Sequence, residues 1–424
     1  MKYPAYPEYE DSGIPWIGKK PKHWQLMKLH HIVRMKSGSS ITSLEMEDDG
    51  EYPVFGGNGQ RGRFSDYTHE GSFVLIGRQG AECGNINYAH GKFWASEHAV
   101  VAIPDRKLDY RWLGEMLWAM NLNQYSQSAA QPGLSVEVIG RLQVPFPPVS
   151  EQQQIAAFLD RKTAQIDALI AKKKALIEKL KEKRLVVITQ AVTKGLDDTV
   201  PMKDSRVDWL GEVPKHWDVG GFLKFVENRV DYRGKTPEKV PQGVFLVTAK
   251  NIKNGKINYQ ISQEYVREED YDTIMSRGTP LIGDLLFTTE APLGEIANVD
   301  NKMIALAQRI IKFRGEADKL NNYFARYWML GLPFQGHLQS LSTGSTATGI
   351  KASKLFELRI VVPPLDEQIS IVKFLDIESK AFDDKEKNIV EVIKKLLEYR
   401  AALITATVTG KIDIRNVELN QEAT

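Results

Sequence analysis

Two stretches of fourteen residues, DSGIPWIGKKPKHW at 11–24 and DSRVDWLGEVPKHW at 204–217, are identical at eight positions. A second pair follows in the same order: PPVSEQQQIAAFLD at 147–160 and PPLDEQISIVKFLD at 363–376 again share eight. The correspondence continues beyond it, Arg184 with Arg400, Ile188 with Ile404, and Ala191-Val192-Thr193 with Thr407-Val408-Thr409. An internal repeat restricts architecture more than any local signal, because each copy must fold into the same unit. Between the matched motifs lie 25–146 and 218–362, 122 and 145 residues long, with little similarity to each other. Uniform drift would blur frame and inserts alike. The chain therefore reads as frame, insert, helix, then frame, different insert, helix.

Each Pro-Pro pair opens a helix. Ser150 with Gln153 has the form of a capping box, and Asp366 is the matching cap. Apolar residues then recur at helical spacing: Ile155, Phe158, Leu159, Ile166, Ile170, Ile177, Leu180 and Ile188 in the first copy. The second has Ile371, Phe374, Leu375, Phe382, Ile389, Ile393, Leu396, Leu403 and Ile404. No proline interrupts either run, and Gly195 and Gly410 stand where a C-terminal cap belongs. About 43 residues of helix span roughly 65 Å. A single apolar stripe of that length needs a partner, and the other copy can supply it as an antiparallel rod.

The inserts carry buried-strand runs at 73–76, 99–103, 244–247, 285–287 and 310–313, separated by glycine-rich turns at 56–59 and 77–80. Aromatic helices are expected over 110–125 and 321–331. The fold class expected is α+β: two globular mixed α/β domains joined by two long antiparallel helices forming a coiled-coil spacer, with a pseudo-two-fold internal repeat. Its boundaries are a first domain at 1–146, a central spacer helix at 147–200, a second domain at 201–362, a distal spacer helix at 363–412 and a tail at 413–424.

Chemistry is conspicuous by its absence from the motifs. A Walker A loop ending at Gly234-Lys235-Thr236 would need glycine at position 229, which is Arg229. No G-x-G-x-x-G follows a strand, no G-x-S-x-G elbow is present, and the eight histidines form no H-E-x-x-H. The Pro-Pro pairs lack the preceding Asn or Asp of adenine methyltransferases. The single cysteine, Cys83, excludes an internal disulfide and a cysteine-based zinc site. A net charge of +2 means that any positive surface must be local. Nothing at the N-terminus resembles a signal peptide, and no apolar run reaches the ~20 residues of a membrane helix, so a cytoplasmic protein without membrane association is expected.

The D-S-x-x-x-W-x-G…P-x-H-W entry, the two P-P-x-x-E-Q-x-x-I-x-x-F-L-D helix starts and the unlike inserts together resemble the specificity subunits of type I restriction–modification systems. The resemblance runs from about residue 11 to residue 412, and 75–80, 283–288 and 292–294 look like strand–turn stretches of that family's target recognition domains. It implies that each insert reads one half of a split double-stranded DNA target and that the helices set the gap. It implies that the frame docks two methyltransferase subunits and, through them, restriction subunits. The chain would be non-catalytic and hold no cofactor, with S-adenosylmethionine, ATP and magnesium on its partners. The alternative is a coiled-coil adaptor linking two protein-binding domains without DNA contact; an enzyme with an unrecognised site is a third reading.

Base reading takes Arg or Lys for guanine and Asn or Gln for adenine, presented from loops and strand ends. Arg61, Arg63, Arg78 and Gln79 fit in the first insert. Arg233, Lys235, Lys250, Asn251, Lys253, Gln308 and Arg309 fit in the second. The basic stretch 172–184 reads as the solvated face of a long helix, and Trp24 and Trp217 as packing anchors of the frame.

Overall fold

The computed structural model describes residues 3–80, 83–126, 133–232, 237–343 and 349–417. The chain forms two compact units, Met1–Lys173 with Glu391–Thr424, and Lys174–Val390. Two long helices, Val149–Lys194 and Leu365–Val408, each pass from one unit into the other. They are 46 and 44 residues long, close to the expected length.

Each unit repeats one scaffold. A short hairpin, Tyr9–Asp11 with Lys19–Pro21, is matched by Met202–Asp204 with Glu212–Pro214. The strand after the tryptophan pairs with the strand before the Pro-Pro helix: Gln25–Lys28 with Gln143–Phe146, and Asp218–Gly221 with Arg359–Val362. The insert is thus returned to its starting point, and its two ends share a two-stranded ladder.

The tryptophans tie the scaffold together. Trp24 is 1% exposed, and its indole N–H donates to Glu151 Oε2 at 2.9 Å. His23 Nε2 lies 2.6 Å from the other oxygen of Glu151. Trp217 and His216 likewise meet Glu367, at 3.0 and 2.8 Å, but both at the one oxygen Oε2. On its other side each tryptophan touches the end of the opposite long helix. A Cβ on Gly410 would lie 3.1 Å from the Trp24 ring, and one on Gly195 would lie 3.3 Å from the Trp217 ring. Both glycines have left-handed backbone, φ +72° and +82°, which terminates a helix at little steric cost. One side chain therefore joins the start of one helix to the end of the other, and the two segments run antiparallel within each unit.

The next residue of the motif fixes the domain. Gln152 is fully buried; its Nε2 donates to the Pro147 carbonyl at 2.9 Å and its Oε1 accepts from Asp109 N–H at 2.9 Å. Gln368 donates to the carbonyls of Pro363 and Lys319 and accepts from Asn321 N–H, all at 2.8 Å. Asp109 and Asn321 are themselves N-caps of the helices Tyr110–Ala119 and Asn322–Leu330.

Some sequence expectations need correcting. The long helices begin a turn position early: Gln152 and Gln368 N–H groups bond the carbonyls of Pro148 and Pro364 at 3.0 Å. Ser150 and Asp366 therefore sit inside the first turn rather than capping it. The aromatic helix from Tyr110 stops at Ala119, because Asn121 turns left-handed at φ 48° before one 3-10 turn, Leu122–Tyr125. Phe374 is 38% exposed although its counterpart Phe158 is 1% exposed. Tyr3 covers Phe158 edge-on at 5.2 Å, whereas the corresponding position of the second copy is Leu196, itself exposed.

The inserts differ in topology as well as sequence. The first is a six-stranded sheet in the order Val33–Ser37, Ala99–Pro104, His69–Gly77, Ile86–Ala95, Tyr52–Gly56, Gly59–Phe64, antiparallel except where Tyr52–Gly56 meets Ile86–Ala95. Strand alternation sends Val74 and Ile76 to the core shared with Trp112 and Ile155, and Leu75 to a small core with Phe93 on the opposite face. The second insert splits into a four-stranded sheet built on Leu285–Thr289 and Ile310–Gly315, and a three-stranded one built on Val244–Val247; Phe287 and Phe313 face a core with Trp217, while Leu286 and Ile310 share a second core with Leu246 of the smaller sheet. All five strand runs foreseen in the sequence are strands.

Beneath the four-stranded sheet, Asp284 is 1% exposed and takes a bidentate pair from Arg314 at 2.7 and 2.8 Å. Lys312 lies 3.3 Å away and is equally buried. Burial pushes the Asp284 carboxyl up, but Arg314, the Leu281 N–H and Lys312 outweigh it and hold it below the usual carboxylate range. Burial pushes the Lys312 ammonium down. A carboxylate depressed in the folded state contributes stability above its unfolded pKa and loses it as pH falls through the folded value.

Two expectations follow from these contacts. Asp284→Asn leaves the buried Lys312 and the half-buried Arg314 uncompensated and should destabilise the second unit by about 3 kcal/mol near neutral pH. The deficit should shrink as pH falls below about 4, where the unfolded carboxylate protonates, and vanish below the lower folded value; thermal unfolding against pH measures both. Trp24→Phe removes a charge-assisted hydrogen bond and should cost the first unit about 2 kcal/mol. Hydrogen exchange should rise at 149–155 and stay unchanged at the matching 365–371.

Candidate nucleic-acid interface

In the first domain two glycine-rich loops meet at one edge of the sheet. The hairpin Tyr52–Gly56/Gly59–Phe64 is closed by Gly57-Asn58, with Gly59 at φ +95°. A Cβ on Gly57 would lie 3.3 Å from the His98 carbonyl and 3.6 Å from that of Gln79. The loop thus packs backbone against backbone on the turn after His69–Gly77, an approach that leaves little room for a side chain. Asn85 Nδ2 donates to Asn58 Oδ1 at 2.5 Å across the junction.

This geometry brings Arg61, Arg78 and Gln79 to one edge. Arg61 and Gln79 are exposed. Arg61 lies back over Gly56, whose Cβ would stand 3.0 Å from Arg61 Cδ. Arg78 is half-buried, with one guanidinium nitrogen 3.1 Å from Ser37 Oγ. Arg63 is spent elsewhere: it donates to the carbonyls of Gly50 and Glu51 at 2.5 and 2.6 Å. Asn58, Asn85 and His98 share the edge and were missed in the sequence. The tetrapeptide Gly56-Gly57-Asn58-Gly59 did mark the turn, but Asn85 and His98 arrive there only through the fold.

In the second domain the candidates separate. Arg233 and Lys235 lie outside the described residues. Asn251 is fully buried. Its oxygen accepts from Thr248 N–H and Oγ1 at 2.9 and 2.7 Å, and its Nδ2 donates to the carbonyls of Asn258, at 3.1 Å, and Ile261. It is a loop latch, with no amide edge left to present. Lys250 is exposed beside it. Lys253 is exposed and lines a cleft with Lys181, Arg184, Arg326 and Lys380. Gln308 and Arg309 sit together between Ile304–Leu306 and Ile310–Gly315. Arg309 has a left-handed φ of 76°, which turns its exposed side chain to Glu290 at 2.8 Å. Gln308 lines a different cleft, with Tyr232, Arg267 and Arg277, none of which carried a sequence signal.

These edges are rich in guanidinium and carboxamide groups, the donors and acceptors that match guanine and adenine edges. Among the described residues no group of three or more His, Cys, Asp or Glu is placed to hold a metal ion, and no helix is long and apolar enough to cross a membrane. A duplicated helical scaffold bearing two unlike domains defines a class of bipartite recognition proteins.

The chain belongs to the family described as type I restriction modification DNA specificity domain, matched over residues 21–179 and 230–395. It is 43% identical over 137 residues to the type I restriction enzyme EcoprrI specificity subunit of Escherichia coli, a match covering 31% of this chain and 34% of that one. Against the type I restriction enzyme MjaVIII specificity subunit of Methanocaldococcus jannaschii it is 22% identical over 425 residues, covering 94% and 95% of the two chains. Its fold is also that of a chain solved in a study of complex assembly and conformational transition of the type I R-M system. The TM-score is 0.67 at 14% identity, over 93% of this chain and 99% of that one.

Proposed function

We propose that this specificity subunit reads an asymmetric, two-part sequence in double-stranded DNA, with 1–146 and 201–362 as its two target recognition domains. The helices at 147–200 and 363–412 are the spacer, and 413–424 a tail. The observation that carries this reading is the pairing of identical frames with unlike sheets: equal supports holding different readers suit a target whose halves differ, where a symmetric dimer would suit a palindrome. Arg61, Arg78 and Gln79, joined by Asn58 and Asn85, are the base-reading candidates in the first domain. Gln308, Arg309, Lys250 and Lys253 are those of the second, with Arg233 and Lys235 retained from sequence. Two methyltransferase subunits dock on the frame, and restriction subunits join through them. S-adenosylmethionine, ATP and magnesium belong to those partners.

The complex reconstituted with its methyltransferase subunits should bind and methylate one split site, with affinity falling steeply as salt rises. Arg78→Ala with Gln79→Ala should relax sequence preference in one half-site by about 1–3 kcal/mol, and Gln308→Ala with Arg309→Ala in the other. Binding of random duplex as tight as that of every split site would instead favour the protein-linking adaptor. Four residues added to the first long helix, about 6 Å, should lengthen the gap by about two base pairs and leave both half-sites unchanged. Methylome sequencing measures gap and half-sites together.

A further inference from the structure

The repeat places matching carboxylates on the two long helices. Asp160 and Asp167 correspond to Asp376 and Asp383, and in each pair the two are seven residues apart, two turns along one helix face. The first of each pair holds a recognition domain. Asp160 accepts from Arg111 Nε at 3.0 Å, and Asp376 accepts from Arg326 at 3.1 Å and Tyr327 at 2.6 Å. The second of each pair bridges to the other long helix: Asp167 to Arg400 Nε at 3.0 Å, and Asp383 to Arg184 at 2.6 Å. To this point the two units agree.

They part at the second carboxylate. Asp383 Oδ2 also binds Lys256 Nζ at 2.6 Å. Lys256 stands on the hairpin Ile252–Lys253/Lys256–Ile257, closed by Asn254-Gly255 with φ 52° and 82°. That pair of left-handed residues makes the tightest and stiffest hairpin turn. Its tip is pinned as well. Asn254 N–H donates to Glu295 at 3.0 Å, and a Cβ on Gly255 would approach Leu330 Cδ1 to 3.1 Å. In the first unit Arg400 Nε also faces the other oxygen of Asp167, at 3.3 Å, and among the described residues no cation of the first domain pairs with it. What that domain turns toward Arg400 is Glu115, of the wrong sign to bond Asp167 and taken by the Tyr88 hydroxyl at 3.0 Å.

We infer that Lys256 is a positioning residue that fastens the second recognition domain to its helices at both carboxylates of the matched pair, Asp376 and Asp383, where, among the described residues, the first domain bonds only Asp160 of its pair. Both domains share the joint at Gln152 or Gln368 and a core against the helix start; an added ion pair two turns further along the helix resists tilting about that joint. The second reader therefore keeps a fixed tilt, and tolerance for a shifted half-site is left to the first. This inference rests on the two-part reading proposed above.

The test compares Lys256→Met with Lys256→Arg in the complete complex with its methyltransferase subunits. Lys256 is two-thirds exposed, so neither change threatens folding. Duplexes carrying the split site with the gap altered by one base pair are scored for methylation. Lys256→Met should raise methylation of these off-spacing sites about fivefold relative to the cognate site, the factor that about 1 kcal/mol represents. Half-site preference should not move, and Lys256→Arg should behave as wild type. Hydrogen exchange of the same complexes without DNA should rise over 252–257 in Lys256→Met alone. Unchanged exchange there, or raised exchange with an unchanged spacing profile, overturns the inference. Absence of any two-part preference in the wild type overturns the reading beneath it and leaves the exchange measurement to decide the second anchor by itself.

Discussion

Everything in this fold hangs on a buried indole hydrogen-bonded to a glutamate carboxylate. Trp24 with Glu151, and Trp217 with Glu367, each sit where the start of one long helix meets the end of the other. An isolated helix of this length with a narrow apolar stripe has little reason to choose one partner register, since sliding by a turn costs few contacts. The tryptophan removes that freedom. Its N–H must find an acceptor once buried, and the glutamate must find donors, so only one alignment satisfies both. The glycine against the opposite face of the ring then stops the second helix at the same level.

Because the junction occurs twice, the molecule has two equivalent anchoring points and two opportunities to hang something between them. What hangs there differs in strand number, strand order and core. The first insert is one sheet with helices on one side; the second is two smaller sheets that share a core between Leu246 and Leu286. The ion triad of buried Asp284 and Lys312 with half-buried Arg314 belongs to the second insert alone. Symmetry stops at the edge of the scaffold, and the ion pairs beyond it follow the needs of each domain.

The scaffold was legible in the sequence because its constraints are local and repeated. Two copies of P-K-H-W and of P-P-x-x-E-Q reveal which residues the junction needs, even without showing that the tryptophan reaches the glutamate. The strand runs were legible for the same reason: unbroken apolar stretches such as Ala99–Ile103, rich in valine and isoleucine, have few alternatives. Helix starts were misplaced by a residue or two, since Ser150 and Asp366 look like caps and the preceding proline does not. The candidate edges were legible only in part. Asn251 has the chemistry of a base reader but spends it on its own loop, and Arg63 likewise serves two backbone carbonyls. Asn85 reaches Asn58 across 27 residues of chain, and no periodicity announces such a meeting.

Gln152 and Gln368 hold the domains in a manner worth following to its end. Each grips its insert through main-chain groups alone: the N–H of Asp109 in one case, the N–H of Asn321 and the carbonyl of Lys319 in the other. Such a grip does not sense which side chains the domain carries, only that a helix begins at that place. The joint is therefore a socket of standard gauge. Any domain that returns its chain to the paired strand and starts a helix there can be seated, so the reading surface is free to be exchanged wholesale while the scaffold stays under strict constraint.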